Sequence, residues 1–288
     1  MIHLKKLILP IKECVIAHKC IAGNPYLAKN RDRAYAAKIT IIREIINETE
    51  VVYIHDEDTD WSEGINEYGI GIINSALMVN FDEKEKKIVK KKGQPSKDGH
   101  KIRTALSKKT LSECLRSIVN YIGDDEEIVG VKGHTFVANP NHSFSVELTT
   151  KHIPSIKKLN RSNHHIRTNH GYDYPDSGYS WEDGPDYKSS HKRHDIAHRE
   201  LKGAKSGEEI LSRLSKHYQS VPNHLSPYRD TNKLSTTSQI LMDLANNILT
   251  VAVDKENGEF LGIDDRTPTW YEPKIKIKVL TSDYEPHN

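Results

Sequence analysis

Apolar and β-branched residues recur along most of this chain with the two-residue period of strands, and helical spacing is confined to two stretches, 106–122 and about 190–218. The first pattern fills residues 14–33. Two β-rich runs, 14–21 and 26–33, flank Ala22-Gly23-Asn24-Pro25, turn formers that supply positive φ and a fixed φ, so a β-hairpin is expected. Folding about that four-residue turn would bring Cys14 near Asp32 and Arg33, and Cys20 near Leu27. Strands are also expected over 39–46 and 51–55 about the polar Asn47-Glu48-Thr49-Glu50, and in a turn-and-strand unit over 64–77 in which Asn66 and Gly69 suit a tight turn. Residues 106–122 place Leu111, Cys114, Leu115, Ile118, Val119 and Ile122 at helical spacing behind Ser107 and Thr110 as caps, which makes Cys114 a core thiol. Two short strands about Asn139-Pro140-Asn141 follow. A long aperiodic stretch, 171–190, leads into helices through Ala197 and Leu201 and over 207–218. The chain then returns to strands at 236–243, 247–253 and 274–279, the last alternating Lys with Ile or Val.

The 288 residues suit one large domain or two small ones with a substantial core. With 36% hydrophobic and 28% charged residues the composition is polar but globular, and a formal net charge of +2 gives no sign of a nucleic-acid or membrane partner. The charge-dense stretch 81–96 mixes signs without interleaved aromatics and reads as a solvated excursion. The apolar run after Lys5-Lys6 is too short for a secretory signal, and no stretch approaches a membrane span, so the expected location is the cytoplasm. Three cysteines do not make a disulfide framework and suit a reducing compartment or an unpaired reactive thiol.

A thiol at the start of a strand, with a carboxylate and a cation on the paired strand, is a candidate nucleophile. At a chain's N-terminus such a cysteine carries its own base, because a free α-amine titrates at roughly 8 and a thiol at roughly 8.5. For Cys14 this requires removal of residues 1–13 as a short pro-peptide, released by attack of the thiol on the Glu13 carbonyl. Cys20 lies on the same strand face and is the alternative nucleophile, but it is roughly 20 Å further along at about 3.3 Å per residue.

The hairpin resembles the start of the cysteine N-terminal-nucleophile (Ntn) hydrolases, which include choloylglycine hydrolase and penicillin V acylase, the acyl-coenzyme A:6-aminopenicillanic acid acyltransferases, and related dipeptidases and amidases. The motifs that carry the likeness are Cys14, Ala28-Lys29-Asn30-Arg31-Asp32, Gly64-Ile65-Asn66-Glu67-Tyr68-Gly69 with Asn74 in the following strand, the Ala138-Asn139-Pro140 hairpin ending in Val146-Glu147, Thr168-Asn169-His170, and Ser190-His191-Lys192-Arg193. With the late hairpin over 236–253, which resembles one that completes a sheet in this superfamily, they run in order from Cys14 to about Val253. Lys29 stands where Arg is commoner, and Asn139 where Asp is.

The resemblance implies a four-layer αββα sandwich of two mostly antiparallel sheets between helices, with residues 14–288 forming a single domain. It implies Cys14 as nucleophile, Asp32 orienting its amine, Asn169 aided by Asn74 donating to the oxyanion, and Arg193 near the nucleophile holding a carboxylate such as Asp32. Lys29 and His170 are expected to contact substrate, and Glu13-Cys14 to be the processing site. No metal or other cofactor is expected, since the histidines at 164, 165 and 170 lack a second ligand set. The expected activity is cleavage of a linear amide in a small molecule or short peptide through a thioester. Acyl transfer to an amine and a catalytically silent binding protein on the same fold are the alternatives, and a homo-oligomer is compatible with either.

Overall fold

The structure is a computed structural model and describes residues 12–77, 98–120, 133–149, 152–177, 185–216, 222–231, 234–254, 256–266 and 274–280. The chain opens with six strands, β1 (Lys12–Ile21), β2 (Asn24–Arg33), β3 (Ala37–Ile46), β4 (Thr49–Asp56), β5 (Trp61–Asn66) and β6 (Gly71–Ala76). Helices α1 (Asp98–Leu106) and α2 (Leu111–Val119) precede β7 (Gly133–Ala138), β8 (Ser143–Leu148), β9 (Ser155–Lys158) and β10 (His164–Arg167). Helices α3 (Pro185–Leu201) and α4 (Gly207–Leu214) then lead to β11 (Ser235–Asp243), β12 (Ile248–Asp254), β13 (Gly258–Asp265) and β14 (Lys274–Leu280).

The strands form a six-stranded sheet in the order β10-β1-β2-β11-β12-β14 and an eight-stranded sheet in the order β13-β3-β4-β5-β6-β7-β8-β9. Pairing is antiparallel except for β12 with β14 and β13 with β3. Strand alternation sorts the apolar residues into three layers. Ile16 and Leu27 of the first sheet face Ile39, Ile41, Val52, Ile54, Ile65, Ile73 and Phe136 of the second. The outward residues Val15, Ala17, Ala28 and Leu241 meet Ala197 and Leu201 of α3 and Ile210, Leu211 and Leu214 of α4. On the far side Val51, Tyr53, Ile72 and Val137 meet Ile102, Ala105 and Leu106 of α1 and Cys114 and Ile118 of α2. This is the expected αββα sandwich.

The first hairpin turns more tightly than the sequence reading allowed. Only Ala22 (φ 48°) and Gly23 (φ 81°) lie in the turn, and Ile21 pairs directly with Asn24. The two positive φ values give the mirror-image turn whose twist matches that of paired strands. Cys14 therefore sits opposite Arg31 rather than Arg33, and Cys20 opposite Pro25 rather than Leu27. The slip is two residues, so the face of every side chain is as expected.

The predicted helix over 106–122 is realised as α2, the second of two helices; Leu106 instead closes α1, residues 107–110 break the two, and Ile122 lies outside the described residues. Thr110 begins the second with a capping box, its hydroxyl accepting from the Glu113 N–H while the Glu113 carboxylate accepts from Thr110 N–H; the Ser107 hydroxyl bonds back to Thr104 O instead. Cys114 is buried as expected. Helix α3 starts at Pro185, shortening the stretch predicted as a loop to Ser190, and α4 ends at Leu214. Strands β5, β9 and β13 were not anticipated. Asn66 and Gly69 make the expected tight turn: Gly69 has φ 71°, and Asn66 Oδ1 accepts from Tyr68 N–H and Ile70 N–H. The charged excursion 81–96 and residues 178–184 of the long loop lie outside the described residues, as do residues 1–11 of the predicted pro-peptide. No helix among the described residues is long and apolar enough to cross a membrane.

Candidate active site

Cys14 lies in the third position of β1, paired with Arg31 of β2 and two residues before the ladder with β10 begins at Ile16. Its side chain shares the inter-sheet face with Ile16, and β2 presents Lys29, Arg31 and Arg33 on that same face. All four residues are fully buried or nearly so. Buried cations require counter-charges, and the second sheet supplies them. Glu63 of β5 takes Lys29 Nζ and Trp61 Nε1 (2.6 Å) on one oxygen and Arg31 Nη2 on the other. Asp56 of β4 accepts from Arg33 Nε (3.1 Å) and Tyr35 Oη (3.0 Å), with Arg31 Nη1 at 3.6 Å.

Arg33 Nη1 approaches Cys14 Sγ at 3.9 Å. Burial pulls the Lys29 ammonium well below its usual range, opposed by the neighbouring Cys14 and reinforced by Arg31 and Arg33. Burial likewise lowers Arg31 to about 10. Asp56 shows the opposite balance: burial would raise its carboxyl, but Arg31 and Arg33 outweigh it and hold it below the usual value. The described residues on this face carry three cationic side chains and two carboxylates around the thiol.

The opposite face of the same strands carries Glu13 and Asp32 and meets Arg193, with Asn169 beside them. Because Ile16 pairs with Arg167, the chain leaving β10 reaches Asn169 level with Cys14, and Asn169 Oδ1 accepts from Cys14 N–H at 3.2 Å. Arg193 of α3 donates to that same Oδ1 (2.9 Å), to Cys14 O (3.1 Å) and to Glu13 Oε2 (2.5 Å). With two donors on Oδ1, the Asn169 amide group is oriented without ambiguity. Its Nδ2 donates to Ala76 O (2.7 Å) and Ser75 Oγ (3.3 Å). Asn169 therefore accepts from the Cys14 N–H, and its own donor is engaged by β6.

Asp32 pairs with Glu13 across the hairpin, on the helix-facing side away from the thiol. Thr236 Oγ1 donates to its Oδ1 at 2.8 Å, and its Oδ2 lies 3.7 Å from both Arg193 Nη1 and Arg229 Nε. Burial raises the Asp32 carboxyl against the pull of Arg229 and Arg193. The expected link from Arg193 to Asp32 is thus long, and the nearer carboxylate is that of Glu13, which Arg229 Nη2 also approaches at 2.8 Å. Arg193 itself is lowered to about 10 by burial and by Arg229.

Asn74 lies on β6 with Oδ1 3.5 Å from Lys29 Nζ and Nδ2 3.5 Å from Ser62 O, at the rim of the thiol face. His170, expected to contact substrate, lies just past β10. It is buried against His191, with ring centroids 3.6 Å apart, and its Nδ1 lies 2.9 Å from Ser190 Oγ, which accepts from Asn169 N–H at 2.8 Å. Burial and the neighbouring His191 depress it to about 2. Through Ser190 it braces the Asn169 backbone. Cys20 is half-buried beside the turn, with Sγ 3.7 Å from His18 Nε2. Among the described residues no three His, Cys, Asp or Glu are arranged to hold a metal ion.

Sequence reasoning missed Glu63, Asp56, Arg229 and Thr236. A signal existed for the first two: strand β2 reads Lys-Asn-Arg-Asp-Arg with charges on both faces, and a strand of that kind inside a sandwich needs carboxylates from across the layer.

By sequence, no protein-family profile and no curated protein matches the chain. By structure, it is similar to the N-acylethanolamine-hydrolyzing acid amidase ortholog of Caenorhabditis elegans, with a TM-score of 0.56 and 14% identity over 80% of this chain and 93% of that one. A weaker likeness, with a TM-score of 0.47 and 12% identity, covers 92% of this chain and 99% of penicillin V acylase from Agrobacterium tumefaciens. The chain thus has the αββα fold of the Ntn hydrolases, the superfamily that its ordered motifs resemble.

Proposed function

We propose that the chain is a self-processing cysteine amidase in which Cys14 is the nucleophile, the segment ending at Glu13 is removed, and residues 14–288 form the mature single domain. The observation that carries this reading is the grip on the peptide unit around Cys14. Its N–H is held by Asn169, its carbonyl by Arg193, and the preceding Glu13 side chain by Arg193 and Arg229. A cysteine that only filled a core would need none of these buried polar partners, and burying them is costly unless they are matched.

In the first step the thiol sulfur attacks the Glu13 carbonyl carbon, the Glu13–Cys14 C–N bond breaks, and the nitrogen takes the thiol proton. Water then hydrolyses the thioester and releases a Glu13 carboxylate. The freed α-amine keeps its donor contact to Asn169 Oδ1, which leaves its lone pair to accept the thiol proton in later turnovers. Asp32 acts as a longer-range counter-charge, 3.7 Å away, for the Arg193 guanidinium that bonds Asn169 and Cys14. Lys29, Arg31 and Arg33 give the thiolate cationic surroundings that two carboxylates do not fully balance. Asn74, whose Nδ2 has a long 3.5 Å contact to Ser62 O to give up, donates to the oxyanion in this reading, a role worth a factor of about a hundred to a thousand in rate. The substrate is a linear amide in a small molecule or short peptide; the amine leaves first, and water resolves the acyl-enzyme. The fold it shares with an amidase supports this chemistry.

Intact mass and N-terminal sequencing of wild type, Cys14→Ala and Cys20→Ala test the reading. Wild type and Cys20→Ala are expected to begin at Cys14, with Cys14→Ala retaining the preceding segment. If all three retain it under every condition, or if Cys20→Ala alone blocks release, the reading is wrong.

A further inference from the structure

The residue that self-processing would remove leaves a charged imprint behind. The Glu13 carboxylate is buried, and its Oε2 lies 2.5 Å from Arg193 Nη2 and 2.8 Å from Arg229 Nη2. Both guanidinium groups are themselves buried. The other carboxylate near them, Asp32, keeps its Oδ2 at 3.7 Å from each arginine and has one oxygen already committed to Thr236. Once Glu13 leaves, two buried cations face one distant carboxylate. A buried charge stripped of its partner is strongly unfavourable, so the emptied slot is a receptor for a new carboxylate.

The slot's position relative to the nucleophile fixes which part of a substrate fills it. Glu13 is the acyl side of the bond that Cys14 attacks, and its carboxylate stands two methylene groups beyond the α-carbon. The same thiol attacking an amide in trans needs the substrate carbonyl where the Glu13 carbonyl was. Residues 12 and 13 also vacate ladder positions opposite Arg33 and Asp32 on β2, which offers an extended acyl backbone a strand to pair with.

We propose that Arg193 and Arg229 form a carboxylate-recognition site for the acyl group, and that the preferred substrates are amides whose acyl part carries a side-chain carboxylate, of the α-glutamyl or glutaryl type. This deepens the amidase reading and rests on it. The products are an amine and an acidic acyl acid, and the released pro-peptide, which ends in Glu13, is itself a ligand of the site.

The test compares N-acetyl-α-glutamyl, N-acetyl-α-glutaminyl and N-acetyl-leucyl p-nitroanilides on the processed protein. Loss of one charge-assisted pair predicts at least about a tenfold higher kcat/KM for the glutamyl compound than for the glutaminyl one, carried mainly by KM. Arg229→Gln should bring that ratio close to unity and Arg229→Lys should restore part of it. A wild-type ratio near or below one overturns the proposal.

Should the chain stay unprocessed and cleave no amide, the amidase reading falls, and the carboxylate site is judged by a separate measurement. In full-length Glu13→Ala, acetate replaces the deleted CH2–COO⁻ group. Acetate is expected to raise the melting temperature of Glu13→Ala relative to equal ionic strength of chloride, and to leave wild type unmoved; no acetate-specific shift in the variant refutes the site.

Discussion

Glu63 is the sharpest place to perturb the thiol face, because one side chain from the second sheet ties together three residues. It is fully buried; its two oxygens take Lys29 and Arg31, and Trp61 Nε1 donates to it at 2.6 Å. Glu63→Gln preserves shape but removes the charge, leaving Lys29, Arg31 and Arg33 with Asp56 as the remaining carboxylate on that face. Breaking a buried pair from one side costs about 3–5 kcal/mol. A domain of this size loses about 2–4 °C of melting temperature per kcal/mol, so the expected drop is about 10 °C.

Urea unfolding of Glu63→Gln, Lys29→Met and the double variant would measure the coupling. Lys29→Met alone leaves Glu63 its bonds to Arg31 and Trp61; added to Glu63→Gln, it removes one of the cations left in excess. The double variant should therefore be more stable than the sum of the singles, by about 1–3 kcal/mol. A Glu63→Gln protein within about 1 kcal/mol of wild type, or strict additivity, would refute the picture of a charge cluster shared between the sheets.

Other expectations follow from the same geometry. His18 and His134 are lowered to about 3 and His170 to about 2, each first by burial. Unfolding lets all three take up protons near pH 6.5, so their contribution to stability is full above that pH and is lost as pH falls towards 3, at up to about 1.4 kcal/mol per pH unit for each. Chemical denaturation at stepped pH should show this fall, and a flat profile between pH 6.5 and 4.5 would contradict neutral buried imidazoles. Cys114, pushed up to about 12 by burial, should resist thiol labelling until the protein unfolds, whereas half-buried Cys20 should label in the native state. Gly64→Ala should destabilise strongly, because an added Cβ would overlap the Val52 carbonyl oxygen and lie 2.6 Å from Tyr53 Cβ; wild-type-like melting would refute that packing. Thr110→Ala should cost about 1 kcal/mol in urea unfolding, through loss of the capping box at α2.

The distinction between what was legible in the sequence and what was not follows from what periodicity encodes. Alternation in β1 and β2 specifies faces, and the faces were right even though the turn was read two residues too long, because a slip of two keeps every side chain on its side. Asn66, Gly69 and Thr110 announced themselves through local hydrogen bonding, which needs only neighbours a few positions away. Asn169 was legible through its motif, but its partners were not, since Oδ1 meets Cys14 and Arg193 while Nδ2 meets Ala76, contacts that span as many as 155 positions.

Strand β5 went unseen because Trp-Ser-Glu-Gly-Ile-Asn puts a charge and a glycine where an apolar alternation was sought. Its Glu63 is buried because β2 puts Lys29 and Arg31 across the layer from it. The same reasoning explains Arg229, which lies in a connecting segment with no pattern of its own and is fixed by Glu13 and Asp32. A strand with charges on both faces inside a sandwich implies partners on both sides, and here they separate by chemistry. Carboxylates come from the inter-sheet side, around the thiol. Arginines come from the helix side, around the carboxylates of Glu13 and Asp32. Cys14 lies at the seam, its sulfur with the first set and its peptide group with the second, so the thiol and the arginine pair are brought to one place from opposite faces of one strand.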